Sequence, residues 1–96
     1  MSKNKQEKVL NYRVVVEKEY YSDKKPVFVA QVPTLGISDY GLTLEKALDN
    51  TEKLIKFHLE CLIEEEGTIP EPDDLANIIV TTSQVRLSAK TPFAFA

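Results

Sequence analysis

A chain of 96 residues, 43% hydrophobic and 28% charged, has the make-up of one folded domain and is neither disordered nor fibrous in composition. Its formal net charge of −3, with twelve Lys plus Arg against fifteen Asp plus Glu, excludes a global positive field that would gather nucleic acid or an anionic membrane. One cysteine, Cys61, cannot form an internal disulfide, and no apolar run approaches the roughly 18 residues of a membrane span, so the expected compartment is the reducing cytoplasm.

Residues 1–7 are polar and are expected to be frayed. From Val9 to Glu17 the apolar and polar positions alternate, with Leu10, Tyr12, Val14 and Val16 on one face, which predicts a half-buried first strand. Residues 20–26 break the alternation. Val27 to Val32 restores it, with Phe28, Ala30 and Val32 on one side, so the two runs are expected to form a hairpin. Pro33 lacks an amide hydrogen and should end the second strand, and Gly36 admits a backbone conformation closed to other residues. Leu35 to Tyr40 then reads as a short third strand.

Gly41 is expected to let the chain turn, and Thr43 to cap the next helix by offering its hydroxyl to the free amides of the first turn. Glu45 puts a negative charge at the positive end of the helix dipole. Position 46, where a reciprocal capping acid would stand, is Lys46, so the cap is half of a capping box. Over residues 44–66 the positions Leu44, Ala47, Leu48, Ile55, Leu59 and Leu62 recur at helical spacing and predict a long amphipathic helix wide enough to cover a sheet. Asp49 with Lys53 and Glu52 with Lys56 are favourably ordered pairs four residues apart. Gly67 is a ready stop. Residues 68–74 (TIPEPDD) read as an extended connector. The β-rich runs 76–81 (ANIIVT) and 84–88 (QVRLS) are expected to supply at least one last strand, with Val85 and Leu87 on one face.

The order β-β-β-α-β predicts an α+β two-layer domain over residues 1–88, an antiparallel sheet of three to four strands covered by one long helix, followed by a short tail at 89–96.

The residues offer little catalytic chemistry. His58, the only histidine, lies on the apolar stripe and reads as a satisfied, partly buried side chain; Cys61, three residues on, reads as a small buried apolar residue. Two ligands on adjacent turns are fewer than zinc takes, so no metal and no cofactor is expected. The three glycines are not clustered, which removes a phosphate-cradling loop, and no aromatic row accompanies the scattered basic residues. Tyr20, Tyr21 and Tyr40 gather at strand ends, where core packing and a recognition surface are both open, since interfaces favour tyrosine. Glu64, Glu65 and Glu66 put three charges at the wrong end of the helix dipole, either as a solvated run or, with Glu71, Asp73 and Asp74, as an acidic surface for a basic partner.

The strand YRVVVE, the run FVAQVP (Phe28 to Pro33), a short strand containing glycine, the stretch GLTLEKALDNTEKLI (Gly41 to Ile55) and IPEP (Ile69 to Pro72) resemble, in that order, the HicB antitoxin family. The resemblance spans residues 9–74 and implies a partial ribonuclease-H-like fold. It also implies a non-enzymatic protein that binds and neutralises a small HicA-like, RNA-cleaving toxin and self-associates as a homodimer or larger homo-oligomer. Pro33, Gly36, Gly41, Thr43, Glu45 and Ala47 are then architectural. The partner contacts chosen from expected exposure and charge are Tyr20, Tyr21, Asp39, Tyr40, Glu64, Glu65 and Glu66.

Three departures from the family stand out. The proline-glycine-cysteine turn appears here as PTLGI (Pro33 to Ile37), and Lys46 replaces the second acid of the threonine-x-acid-acid-alanine signature. The family's carboxyl-terminal DNA-binding segment has no counterpart in the eight residues after Ser88, so DNA binding by this chain is not expected. Of the acids that would hold metal in a nuclease of this fold, Glu17 alone lies on the strands, which implies no nuclease activity. Two further readings stand beside the antitoxin: a solitary oligomeric scaffold or sensor module without a toxin partner, and an RNA-binding protein.

Overall fold

The computed structural model describes residues 7–21, 25–88 and 93–96. All but residue 7 of the frayed start, and residues 89–92 of the tail, lie outside the described residues. Three strands, β1 (Val15–Tyr20), β2 (Pro26–Val32) and β3 (Ile37–Gly41), form an antiparallel sheet in the order β1-β2-β3. A single long helix, α1 (Leu44–Glu65), lies over β3 and, less closely, β2. The α+β class and the two layers agree with the periodicity of the sequence.

β1 begins six residues later than the alternation suggests and runs on to Tyr20. The reason is the partner strand. Val15 already pairs with Gln31, one residue short of the end of β2, and Pro33 begins the turn after Val32, so residues 9–13 have no length of β2 beside them. That segment is bonded instead to the connector after the helix, where the Tyr12 hydroxyl donates to the Pro70 carbonyl at 2.6 Å and the Asp73 amide donates to the Asn11 carbonyl at 2.9 Å.

Between β2 and β3 the amides of Leu35 and Gly36 both donate to the Val32 carbonyl, at 3.1 and 2.8 Å. Gly36 has φ of 67°, the left-handed conformation expected of it. Gly41 acts differently from expectation. Its φ is not positive; what it supplies is room, because a Cβ there would lie 2.8 Å from the Lys46 carbonyl carbon and 2.9 Å from Ala47 Cα. The first turn of α1 rests directly on the end of β3.

Thr43 caps α1 with its hydroxyl accepting the Lys46 amide at 3.0 Å, and Glu45 stands in the first turn. Thr43→Ala is expected to lower stability by about 0.5–2 kcal/mol, read from the midpoint of urea unfolding. Gly67, with φ of 76°, ends the helix and donates to the Ile63 carbonyl at 3.0 Å. Of the two expected ion pairs, Asp49 and Lys53 meet at 3.1 Å, while Glu52 and Lys56 do not close among the described residues.

The buried apolar core is small: Ala30 and Val32 from β2, Ala47 and Leu59 from α1. Thr51 is buried with them, and its hydroxyl donates to the Ala47 carbonyl at 2.7 Å. Leu44 and Leu48 were expected on the inward stripe, yet both are exposed by more than two fifths, and Ile55 is only half-buried. The stripe is wider than the two strands beneath it.

The expected fourth strand is absent among the described residues. After a single 3-10 turn at Leu75–Asn77, capped by Asp74, residues 78–88 leave the body without joining the sheet. The radius of gyration, 19.0 Å, exceeds the roughly 12 to 13 Å of a compact chain this long.

Candidate functional site

The register of the sheet decides which side each candidate occupies, since directly opposed residues share a face. Val16, Ala30 and Asp39 stand in one row, and Glu17, Val29 and Tyr40 in the next. Buried Ala30 marks the first row as the side under α1. Tyr40 therefore lies on the uncovered face beside Val29, and Tyr20, three rows on from Glu17, lies on the helix side.

Asp39 and Tyr40 line an open groove of about 520 Å³ at the β3–α1 junction, with Leu42, Lys46 and Asn50 among its other walls. Tyr40 is held by its backbone: its amide donates to Asp39 Oδ1 at 2.8 Å, and its carbonyl accepts from Asn50 Nδ2 at 2.9 Å. The ring is left 61% exposed. A fixed backbone beneath an exposed aromatic ring suits contact with another macromolecule more than enclosure of a small one.

Tyr20 and Tyr21 are exposed at the end of β1. The Lys18 ammonium sits 5.8 Å from the Tyr20 ring centroid and 5.6 Å from that of Phe28, and the Tyr21 hydroxyl donates to Glu19 Oε2 at 3.4 Å. Glu64, Glu65 and Glu66 are exposed at the far end of the helix. Fourteen residues of helix separate Asn50, beside Tyr40, from Glu64, about 21 Å along the axis. The seven candidate contacts thus fall in three places: the tyrosine pair at the end of β1, the Asp39–Tyr40 groove at the β3–α1 junction, and the acidic helix end.

Pro33, Gly36, Gly41, Thr43, Glu45 and Ala47 all fall at the β2–β3 turn or the β3–α1 junction. His58 and Cys61 are half-buried on α1, and no cluster of three or more metal-ligating side chains occurs among the described residues.

Sequence reasoning missed one constellation. Asp73 accepts the Arg13 amide at 2.6 Å and the Thr34 hydroxyl at 2.6 Å, joining the chain before β1, the β2–β3 turn and the connector. The signal is the proline-flanked acid run at 70–74, which by sequence reads as an extended connector whose acids are open to an acidic-surface role. The Arg13 amide, then the Thr34 hydroxyl, hold the Asp73 carboxyl below its ordinary value of 3.8. Burial, then the charge of Asp73, pushes the Tyr12 hydroxyl up. A carboxylate whose pKa falls on folding adds stability that is complete above the unfolded value and is lost as pH drops through the folded one. Asp73→Asn is expected to flatten the loss of stability on acidification below about pH 4, a change read by following the melting temperature from pH 6 to pH 2.5.

No helix among the described residues is long and apolar enough to cross a membrane. Comparison with protein-family models, with curated proteins and with solved structures finds no match to this chain.

Proposed function

We propose that this chain is a HicB-like antitoxin domain of partial ribonuclease-H-like fold, which acts without catalysis by covering the active surface of a small, basic HicA-like ribonuclease toxin in the cytoplasm. The observation that carries the reading is the β3–α1 junction. There Gly41 lets the helix touch the strand, Thr43 caps it and Ala47 is fully buried, so the run that resembles the family does structural work in the order the resemblance implies.

What remains exposed after that work is a set of contact groups of the kind an RNA-binding toxin would meet. Glu64, Glu65 and Glu66 extend a negative end into solvent, and Tyr20, Tyr21 and Tyr40 present rings at both faces of the sheet. Carboxylates opposite a surface built to hold phosphates give electrostatic complementarity and fast association.

Co-expression tests the reading. A HicA-like toxin encoded beside this chain is expected to arrest growth alone and to lose that effect when the full chain is in excess. Continued arrest with excess soluble protein would overturn the reading. Replacing Glu64, Glu65 and Glu66 together by glutamine is expected to slow association and to weaken its salt dependence.

A further inference from the structure

Residues 79–88 are a strand without a sheet. Ile79, Val80, Val85 and Leu87 are exposed by 87, 86, 72 and 69%, and no backbone bond from this segment to the rest of the chain occurs among the described residues. β-branched apolar residues on extended, unpaired backbone are a template for pairing with another edge.

The sheet offers two edges, and they are not equivalent. On β3 the amide and carbonyl of Tyr40 are both occupied by the side chains of Asp39 and Asn50, which closes that edge. On β1 the outer edge over Val15–Tyr20 meets no neighbouring strand and no side-chain bond to its backbone among the described residues. Beside its start lies an apolar groove of about 510 Å³ between the chain before β1 and the helix, walled in part by Leu10, Val14, Leu48 and Ile55.

Arm and edge match in charge. Arg86 is the only charged residue of the arm, flanked by Val85 and Leu87. Residues of β1 alternate, with Val16 on the helix side and Glu17 and Glu19 on the uncovered face. A strand that lays Val85 and Leu87 on the helix side places Arg86 on the face that carries Glu17 and Glu19, an arrangement in which opposite charges on adjacent strands attract.

Reach decides whose edge is filled. The arm makes no backbone bond to its own body among the described residues, and the longest dimension is 73 Å. Ten extended residues cover roughly 33 Å, more than the roughly 20 Å of the six-residue edge. We infer that the arm of one molecule adds as a strand to the β1 edge of a second copy, reciprocally about a two-fold axis. This pairing is independent of toxin binding. It supplies the missing fourth strand and covers the overhanging flank of α1.

Two measurements on the full chain test it. In light scattering the wild type is expected to have the mass of a dimer and Ile79→Glu/Val85→Glu that of a monomer, with the helical circular dichroism unchanged. In a Cys61→Ser background, differently tagged chains carrying Arg86→Cys in one and Glu17→Cys in the other are expected to join through an interchain disulfide on oxidation. A monomeric wild type, a dimer that survives the arm variant, or a loss of helix signal in that variant would overturn the inference. So would a chain carrying both cysteines that closes on itself at high dilution.

Discussion

Gly41→Ala is expected to destabilise the protein by about 1–3 kcal/mol, although it adds only one methyl group, because Gly41 is buried at the end of β3. The added carbon would stand 2.8 Å from the Lys46 carbonyl carbon and 2.9 Å from Ala47 Cα, and both are backbone atoms that cannot rotate aside. Relief requires lifting the first turn of α1 off β3, which also withdraws Ala47, wholly buried at that contact. Gly36→Ala is the control. Its site is open, and its cost, about 1–2 kcal/mol, is that of the left-handed backbone alone. Urea unfolding of both variants separates crowding from conformation: a Gly41→Ala midpoint equal to the wild type would show that the helix does not rest on the strand.

Leu59→Ala is expected to cost about 2–5 kcal/mol, the largest loss from a single truncation on α1. Among the described residues Leu59 is one of only four buried apolar residues, and the other three are Ala30, Val32 and Ala47, which are small. For a domain whose whole stability is about 5–15 kcal/mol, that is a large fraction. Ile55→Ala is expected to cost less, because Ile55 is half-buried on the flank of the helix that overhangs the sheet. Thermal unfolding of the pair checks the ranking. Equal losses would mean that the overhanging flank is already covered in solution.

The helix was the most legible part of the sequence, and for physical reasons. Its cap, its dipole-matched Glu45 and its Gly67 stop are local and appear where they are expected, whereas the buried face is narrower than the apolar period suggests. The hairpin was legible as alternation, but its length was not. Residues 9–13 alternate as well as β1 does, and only the partner's turn at Pro33 denies them a ladder. Propensity records what a segment can do, and pairing depends on what lies beside it. The same logic governs the arm: 76–81 and 84–88 carry strand residues, yet among the described residues no strand of the sheet pairs with them.

The contact groups were legible as types and not as a cluster. Tyr20 and Tyr40 look alike in sequence, but a row count across two ladders sets them on opposite faces. Gly41 was read for the wrong property, because glycine's freedom to turn and its lack of a Cβ leave the same letter in the sequence. Asp73 could not be recognised from its neighbours at all, since its partners Arg13 and Thr34 are distant in the chain.

That distance also shapes the kinetics of the molecule. Arg13 and Asp73 are 60 positions apart, so their bond closes a far longer loop than the hairpin or any turn of the helix does. A contact of such long range is expected to form late, on the native side of the folding barrier. Its removal quickens the escape from the native state while hardly altering the rate of arrival. The cross-chain tie at Asp73 thus bears on how long the fold lasts, and the short-range elements on how fast it forms.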